Sequence, residues 1–112
     1  VSSGRAFKGA THFLHYDASK GASISITRSL ARELGDDNIC VNCIAPGATM
    51  SEKVLARNTS LGVTADVTMK TRALKRHEMP EDLIGACVFL ASAESDFMTG
   101  QTIVVDGGSA MH

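Results

Sequence analysis

No run in this chain approaches the roughly 18 or more consecutive apolar residues that a membrane-spanning helix needs. The opening stretch, VSSGRAFKGA, lacks the charged-then-apolar order of a secretion signal. The chain also starts without methionine and reads as the middle of something longer. A basic excess is absent: 11 lysines and arginines stand against 12 aspartates and glutamates, for a net charge of -1. Nucleic acid is therefore not an expected partner, because a phosphate-binding surface normally needs surplus positive charge. Repeats and low-complexity segments are missing as well. What remains is the balance of a water-soluble globular domain placed in the cytoplasm, 44% apolar and 21% charged over 112 residues.

Cysteine is scarce, and its odd count excludes a simple disulfide framework. Cys40 and Cys43 do form a C-x-x-C, but within NICVNCIAPG, an apolar run that reads as a buried strand. Three steps along a strand put two side chains on opposite faces, which suits neither a shared metal ion nor a bridge. No second C-x-x-C and no histidine at ligand spacing accompany them. All three cysteines are expected buried and reduced, and no metal is expected.

The elements present alternate. VSS reads as a strand tail. Tyr16 to Leu34 reads as a helix, with Ala18, Ala22, Ile26, Leu30 and Leu34 recurring about every fourth residue and Gly35 at its stop. Ile39 to Ala45 reads as a strand. Ser51 opens a helical stretch interrupted by NTSLGVT, and Pro80 to Ala93 forms another helix with proline in its first turn. QTIVVDGG reads as a final edge strand. This order predicts an α/β fold with a parallel sheet and crossover helices.

The densest chemistry lies in YDASKGA, Tyr16 to Ala22. Tyr16 and Lys20 are i and i+4, so both project from one face of the helix start. A free phenol holds its proton to about pH 10. The Lys20 ammonium, and the positive end of the helix, favour the phenolate and so make a workable acid/base. Small residues at Ala18, Ser19, Gly21 and Ala22 let either a flat ligand or a second helix approach closely. Alone, such a Tyr–Lys pair is a weak signal.

Its setting strengthens it. Ser3 ends a strand thirteen residues before Tyr16, Pro46-Gly47 ends the next strand, and Ser51 follows that proline by five. RHEMPEDLIGACVFLASAESDFMTGQTIVVDGG comes after. Together, from Val1 to Gly108, these motifs resemble the short-chain dehydrogenase/reductase family. The resemblance implies a Rossmann-type, doubly wound parallel sheet and a nicotinamide-dependent oxidoreductase. It implies that Ser3, rather than its neighbour Ser2, holds the substrate oxygen, and that Tyr16 is the acid/base. Lys20 would assist Tyr16 and bind the nicotinamide ribose. Pro46 and Gly47 would form the turn beside the nicotinamide, while the Thr49 backbone and the Ser51 hydroxyl hold its carboxamide. Ser51 stands where the family often has threonine. The segment from Ser51 to Met79 resembles the family's substrate lid, with Leu55, Leu61 and Val63 apolar enough to cover a bound substrate or else part of the core.

The expected reaction interconverts a secondary alcohol and a ketone using NAD or NADP. No glycine-rich turn after a first strand occurs in this sequence. That loop, the residue choosing between NAD and NADP, and the family's relay asparagine are expected before Val1. Residues 1–112 then form the C-terminal part of a single cofactor-binding domain. An inactive nucleotide-sensing or scaffolding member is the alternative. His15 is a candidate for the substrate wall, or else a partly exposed loop histidine. Arg5 and Lys8 either meet an acidic substrate group or stay solvated. Asp106 fixes a turn. In the family, the helix after Pro80 and the last strand pack across a two-fold axis. That implies a homotetramer with Ile84, Val88, Ile103 and Val105 near the contact.

Overall fold

The computed structural model describes the backbone of residues 1–56 and 60–112, and the side chains of all of these except position 55 and positions 60–65. Its centre is a short parallel pair of strands. β1 (Cys43–Pro46) pairs with β2 (Thr102–Val105), Ile44 opposite Ile103 and Ala45 opposite Val104. Burial alternates along β1, with Cys43 and Ala45 enclosed, as a pleated strand between two layers requires. On the other edge of β1, the Ser2 N–H donates to the Ile44 carbonyl at 2.8 Å. The chain start thus occupies a third strand position without assigned strand structure, a shorter element than VSS alone suggests.

Helix α1 spans Leu14–Glu33 and ends where Leu34 and Gly35 break its hydrogen bonding. Asn38 completes the turn in the left-handed region, at φ 58°, a conformation asparagine tolerates. The expected length of α1 holds, but its buried face differs. Ile24, Thr27 and Ala31 face inward, while Ala18, Ala22, Ile26 and Leu30 are exposed. Strict fourfold spacing advances about 40° per step around a 3.6-residue helix, so that row drifts off the face meeting the sheet.

β1 begins four residues later than expected. The approach to it, Cys40 to Asn42, is held by one backbone bond, from the Gly100 N–H to the Val41 carbonyl at 2.7 Å, and otherwise by side chains. Asn42 donates to the Met98 carbonyl at 2.6 Å and accepts from the Gln101 N–H at 3.0 Å. This also corrects the expectation for cysteine. Only Cys43 is buried; Cys40 and Cys87 are exposed and all three are free. Cys40 lies outside the strand, its Sγ 3.4 Å from the Asp96 carbonyl, and Cys87 sits on the outer side of its helix.

After β1 come α2 (Glu52–Ala56) and α3 (Ser60–Thr71). The expected interruption over NTSLGVT partly lies outside the described residues, and helix resumes at Ser60. Pro80 opens a single 3-10 turn to Leu83 that leads into α4 (Ile84–Leu90), three residues shorter than expected. The Asp82 carboxylate caps this start by accepting from the Met79 N–H at 2.8 Å. After β2, Asp106 accepts from the N–H groups of Gly108, Ser109 and Ala110 at 3.0, 2.9 and 2.7 Å. Its expected role in fixing a turn is visible in those three bonds. No helix among the described residues is long and apolar enough to cross a membrane.

Candidate active site

Three parts of the chain meet at one cleft of about 570 Å³. Ser3 through Arg5 supply one wall, Phe13 just before α1 and Tyr16 in its first turn the second, and Gly47 through Met50 the third. Val54 and Thr68 close it from α2 and α3, the segment expected to act as a lid. The side chains of Leu55, Leu61 and Val63 lie outside the described residues.

Ser3 caps the 3-10 turn Gly4–Phe7, its Oγ accepting from the Arg5 N–H at 3.3 Å. Ser2, by contrast, turns its hydroxyl away and donates to the Lys20 carbonyl at 2.7 Å. That bond ties the chain start to α1 and leaves Ser3 as the serine on the cleft. Tyr16 stands in the first turn of α1, half-buried. The Lys20 ammonium lies 5.6 Å from the centroid of its ring, and the Arg5 guanidinium lies at 5.6 Å as well. Two positive charges therefore attend one phenol. Lys20 is not on the cleft wall; its Nζ donates to the Val1 carbonyl at 3.4 Å.

Arg5 is fixed by an ion pair with Asp17 at 3.2 Å and lies over the Phe13 ring at 4.1 Å. Asp17 also accepts from the Ala10 N–H at 2.9 Å, which orders the loop before α1. Lys8 lines the cleft and donates to the Ser109 hydroxyl at 2.5 Å. His15 falls inside α1 and is exposed, away from the cleft, so it is neither the expected wall nor a loop residue.

The turn after β1 has a support that sequence reasoning missed. Glu78, only 4% exposed, accepts through Oε1 from the Gly47 N–H at 3.2 Å and from the Thr49 hydroxyl at 2.7 Å. Its carbonyl accepts from the Met50 N–H at 2.8 Å. Burial raises the Glu78 carboxyl above its ordinary range, against the opposing hydrogen bond from Thr49 and the charge of Arg72. Pro46 forms the end of β1 behind this turn, and Ser51 stands just past it with its N–H on the Thr49 carbonyl at 3.0 Å. The Ser51 side chain is half-buried and does not line the cleft. No local signal marks Glu78, because its partners lie 29 and 31 residues away.

A nicotinamide fits what is here. The Ser3 hydroxyl, the Tyr16 phenol and the Gly47–Met50 main chain line one cleft, which a flat ring can enter.

A family profile described as Enoyl-(Acyl carrier protein) reductase matches residues 1–110. A 2-dehydro-3-deoxy-D-gluconate 5-dehydrogenase from Dickeya dadantii is 41% identical over 96% of this chain and 42% of its own length. The 3-oxoacyl-(acyl carrier protein) reductase FabG of Chlamydia trachomatis is 37% identical over 98% of this chain and 43% of its own. The chain thus spans about two fifths of the length of these curated relatives. Among solved structures, a short-chain dehydrogenase/reductase from Brucella melitensis superposes with a TM-score of 0.86 at 37% identity, covering 99% of this chain and 44% of that one. A 3-oxoacyl-(acyl carrier protein) reductase from the same organism, with bound NAD, gives 0.77 at 35% identity, covering 99% and 39%. With its parallel sheet, its crossover helices and these relatives, the chain belongs to the short-chain dehydrogenase/reductase family of oxidoreductases, and its fold is the Rossmann-type α/β fold of that family.

Proposed function

We propose that this chain carries the catalytic half of an NAD- or NADP-dependent oxidoreductase that interconverts a small secondary alcohol and its ketone. The observation that carries the reading is the meeting of Ser3, Tyr16 and the Gly47–Thr49 turn at one cleft. In this reading residues 1–112 are the C-terminal part of a single domain, and the pyrophosphate-binding loop precedes Val1. The share of each relative that is matched supports that, as does the lack of a glycine-rich phosphate loop in the sequence.

The bound cofactor would take up or supply a hydride. The chain's own residues would then do the rest. In oxidation, Tyr16 Oη as phenolate removes the hydroxyl proton of the alcohol; in reduction it returns that proton to the carbonyl oxygen. Ser3 Oγ donates to the same oxygen and holds it in both directions. Lys20 favours the phenolate through its charge and offers its ammonium to the nicotinamide ribose. Pro46 and Gly47 shape the turn against the ring, and the Thr49 backbone bonds the carboxamide; the Ser51 hydroxyl, which stands just past the turn and off the cleft wall here, would turn inward to join it. Phe13, Met50 and Val54 give the cleft an apolar wall that excludes water around the reacting carbon. A cytoplasmic place and a homotetrameric assembly belong to the same proposal.

The test is direct. The full-length protein is assayed for nicotinamide reduction with a panel of small secondary alcohols. Turnover with at least one of them, lost in Ser3→Ala, is expected. No turnover across the panel with either cofactor, or an unchanged Ser3→Ala variant, contradicts the proposal.

A further inference from the structure

Glu78 carries no role in the chemistry above, yet it is enclosed at the back of the turn that faces the cleft. It stands between the large cleft and a smaller cavity of about 170 Å³ lined by Arg72, Arg76 and Asp82. Burying a carboxylate is costly unless its oxygens are bonded. Oε1 has two partners, the Gly47 N–H and the Thr49 hydroxyl. Oε2 has none and lies over Gly47, where a Cβ would be 2.5 Å away. The main chain repeats the attachment, since Thr49 and Glu78 form an isolated parallel bridge and Met50 N–H reaches the Glu78 carbonyl. One residue therefore grips Gly47, Thr49 and Met50 at once. The Thr49 hydroxyl gives its one proton to this inward bond, so toward a ligand it can only accept, and the donor that Thr49 offers is its backbone.

We propose that Glu78 is a positioning residue for the nicotinamide end of the cofactor, its carboxylate setting the Gly47–Met50 turn through two hydrogen bonds. The inference rests on the nicotinamide-dependent reading above. Loss of the carboxylate frees the Thr49 hydroxyl, leaves the Gly47 N–H with only the Val105 carbonyl at 3.0 Å, and loosens the turn, while sites for the adenine and phosphates stay as they are. A charge-assisted hydrogen bond of this kind is among the stronger ones, and losing it should weaken nicotinamide binding about tenfold, the effect of roughly 1.4 kcal/mol. Glu78→Gln keeps an acceptor oxygen for Gly47 and Thr49 and replaces only the unpartnered Oε2, so it should regain most of the loss.

The test uses the full-length protein, Glu78→Ala and Glu78→Gln, titrated with NADH or NADPH, whichever the parent binds, and with the matching nucleotide fragment that lacks the nicotinamide ring. In Glu78→Ala the expected result is about tenfold weaker binding of the dinucleotide with unchanged binding of the fragment, and near-parent binding of both in Glu78→Gln. Equal losses for both ligands would show a general collapse and overturn the inference, as would unchanged dinucleotide binding in Glu78→Ala. A parent that binds the fragment and the dinucleotide leaves the functional reading standing whatever the variants do. A parent that binds neither removes that reading and this inference together.

Discussion

Gly47 has no room for a side chain: an added Cβ would sit 2.5 Å from Glu78 Oε2 and 2.8 Å from the Asp106 Cβ. Gly47→Ala should therefore destabilise the protein by about 1–3 kcal/mol, the usual cost of overpacking, read as a lower denaturation midpoint. An unchanged midpoint would mean that the turn relaxes freely. Glu78 adds a pH dependence. Its folded carboxyl titrates above the unfolded one, so the native state holds more protons between the two values. Folding is then favoured at the lower pH, and that contribution is lost as pH rises through the raised value. The groups acting on it are Arg72 and Asp106, with Arg76 farther off. Glu78→Gln carries no such charge, so its stability relative to the parent should improve as pH rises above the ordinary carboxylate range. A difference that is flat with pH would contradict the burial argument. Lys20→Ala should weaken cofactor binding and lower turnover together, and Lys20→Arg should rescue poorly, since a forked guanidinium does not replace a compact ammonium. Parent-like titrations in the alanine variant would make Lys20 a mere surface residue. Tyr16 and Lys20 were legible in the sequence because their relation is local, one helical turn apart. Glu78 was not, because what defines it is a pairing across 29 and 31 residues.

Helix α1 shows the same limit at the next scale. Its existence and its end at Leu34–Gly35 followed from periodicity and a stop signal. Which side it buries did not, since apolar residues occupy two rows and only packing against β1 decides between Ile24–Ala31 and Ile26–Leu30. β1 was placed too early because NICV is as apolar as CIAP, and nothing local shows that Asn42 replaces backbone pairing with side-chain bonds. The start of α4 was readable from Pro80 and its acidic neighbours. Its anchor, the two-pronged contact of Arg76 with Asp82 at 2.6 Å for each oxygen, was not. That contact, with the Met79 N–H, lowers the Asp82 carboxyl to about 2. The depressed value means that the stabilisation is present above the ordinary carboxylate range and is lost as pH falls through about 2. Asp82→Asn should lower thermal stability at neutral pH, and its gap from the parent should close as the solution is acidified. A gap that persists at the acid end would assign the effect to packing instead of charge.

For the whole molecule, the sheet explains both the site and the surfaces left over. Two strands and the extended start bring Ser3, Gly47 and Asp106 to one end, where α1 presents Tyr16. Among the described residues, the enclosed apolar ones are few and mostly small: Ile24, Ala31, Cys43, Ala45 and Ala110. Large ones stay open, with Ile84 57% and Val88 61% exposed on α4, and β2 has one unpaired edge among the described residues. Surfaces of that kind are normally covered by another part of the fold or another subunit. Sedimentation of the full-length protein at micromolar concentration should give an oligomer, a tetramer in our proposal, that Ile84→Glu combined with Val88→Glu dissociates. A monomer whose mass is unchanged on raising concentration would contradict it. The proposed chemistry itself comes down to one hydroxyl. Turnover of Tyr16→Phe in the full-length protein, measured at saturating cofactor with an alcohol the parent oxidises, should fall by roughly 100- to 10,000-fold while cofactor affinity holds. Near-parent turnover in that variant would contradict the assignment of Tyr16 as the proton-transfer group.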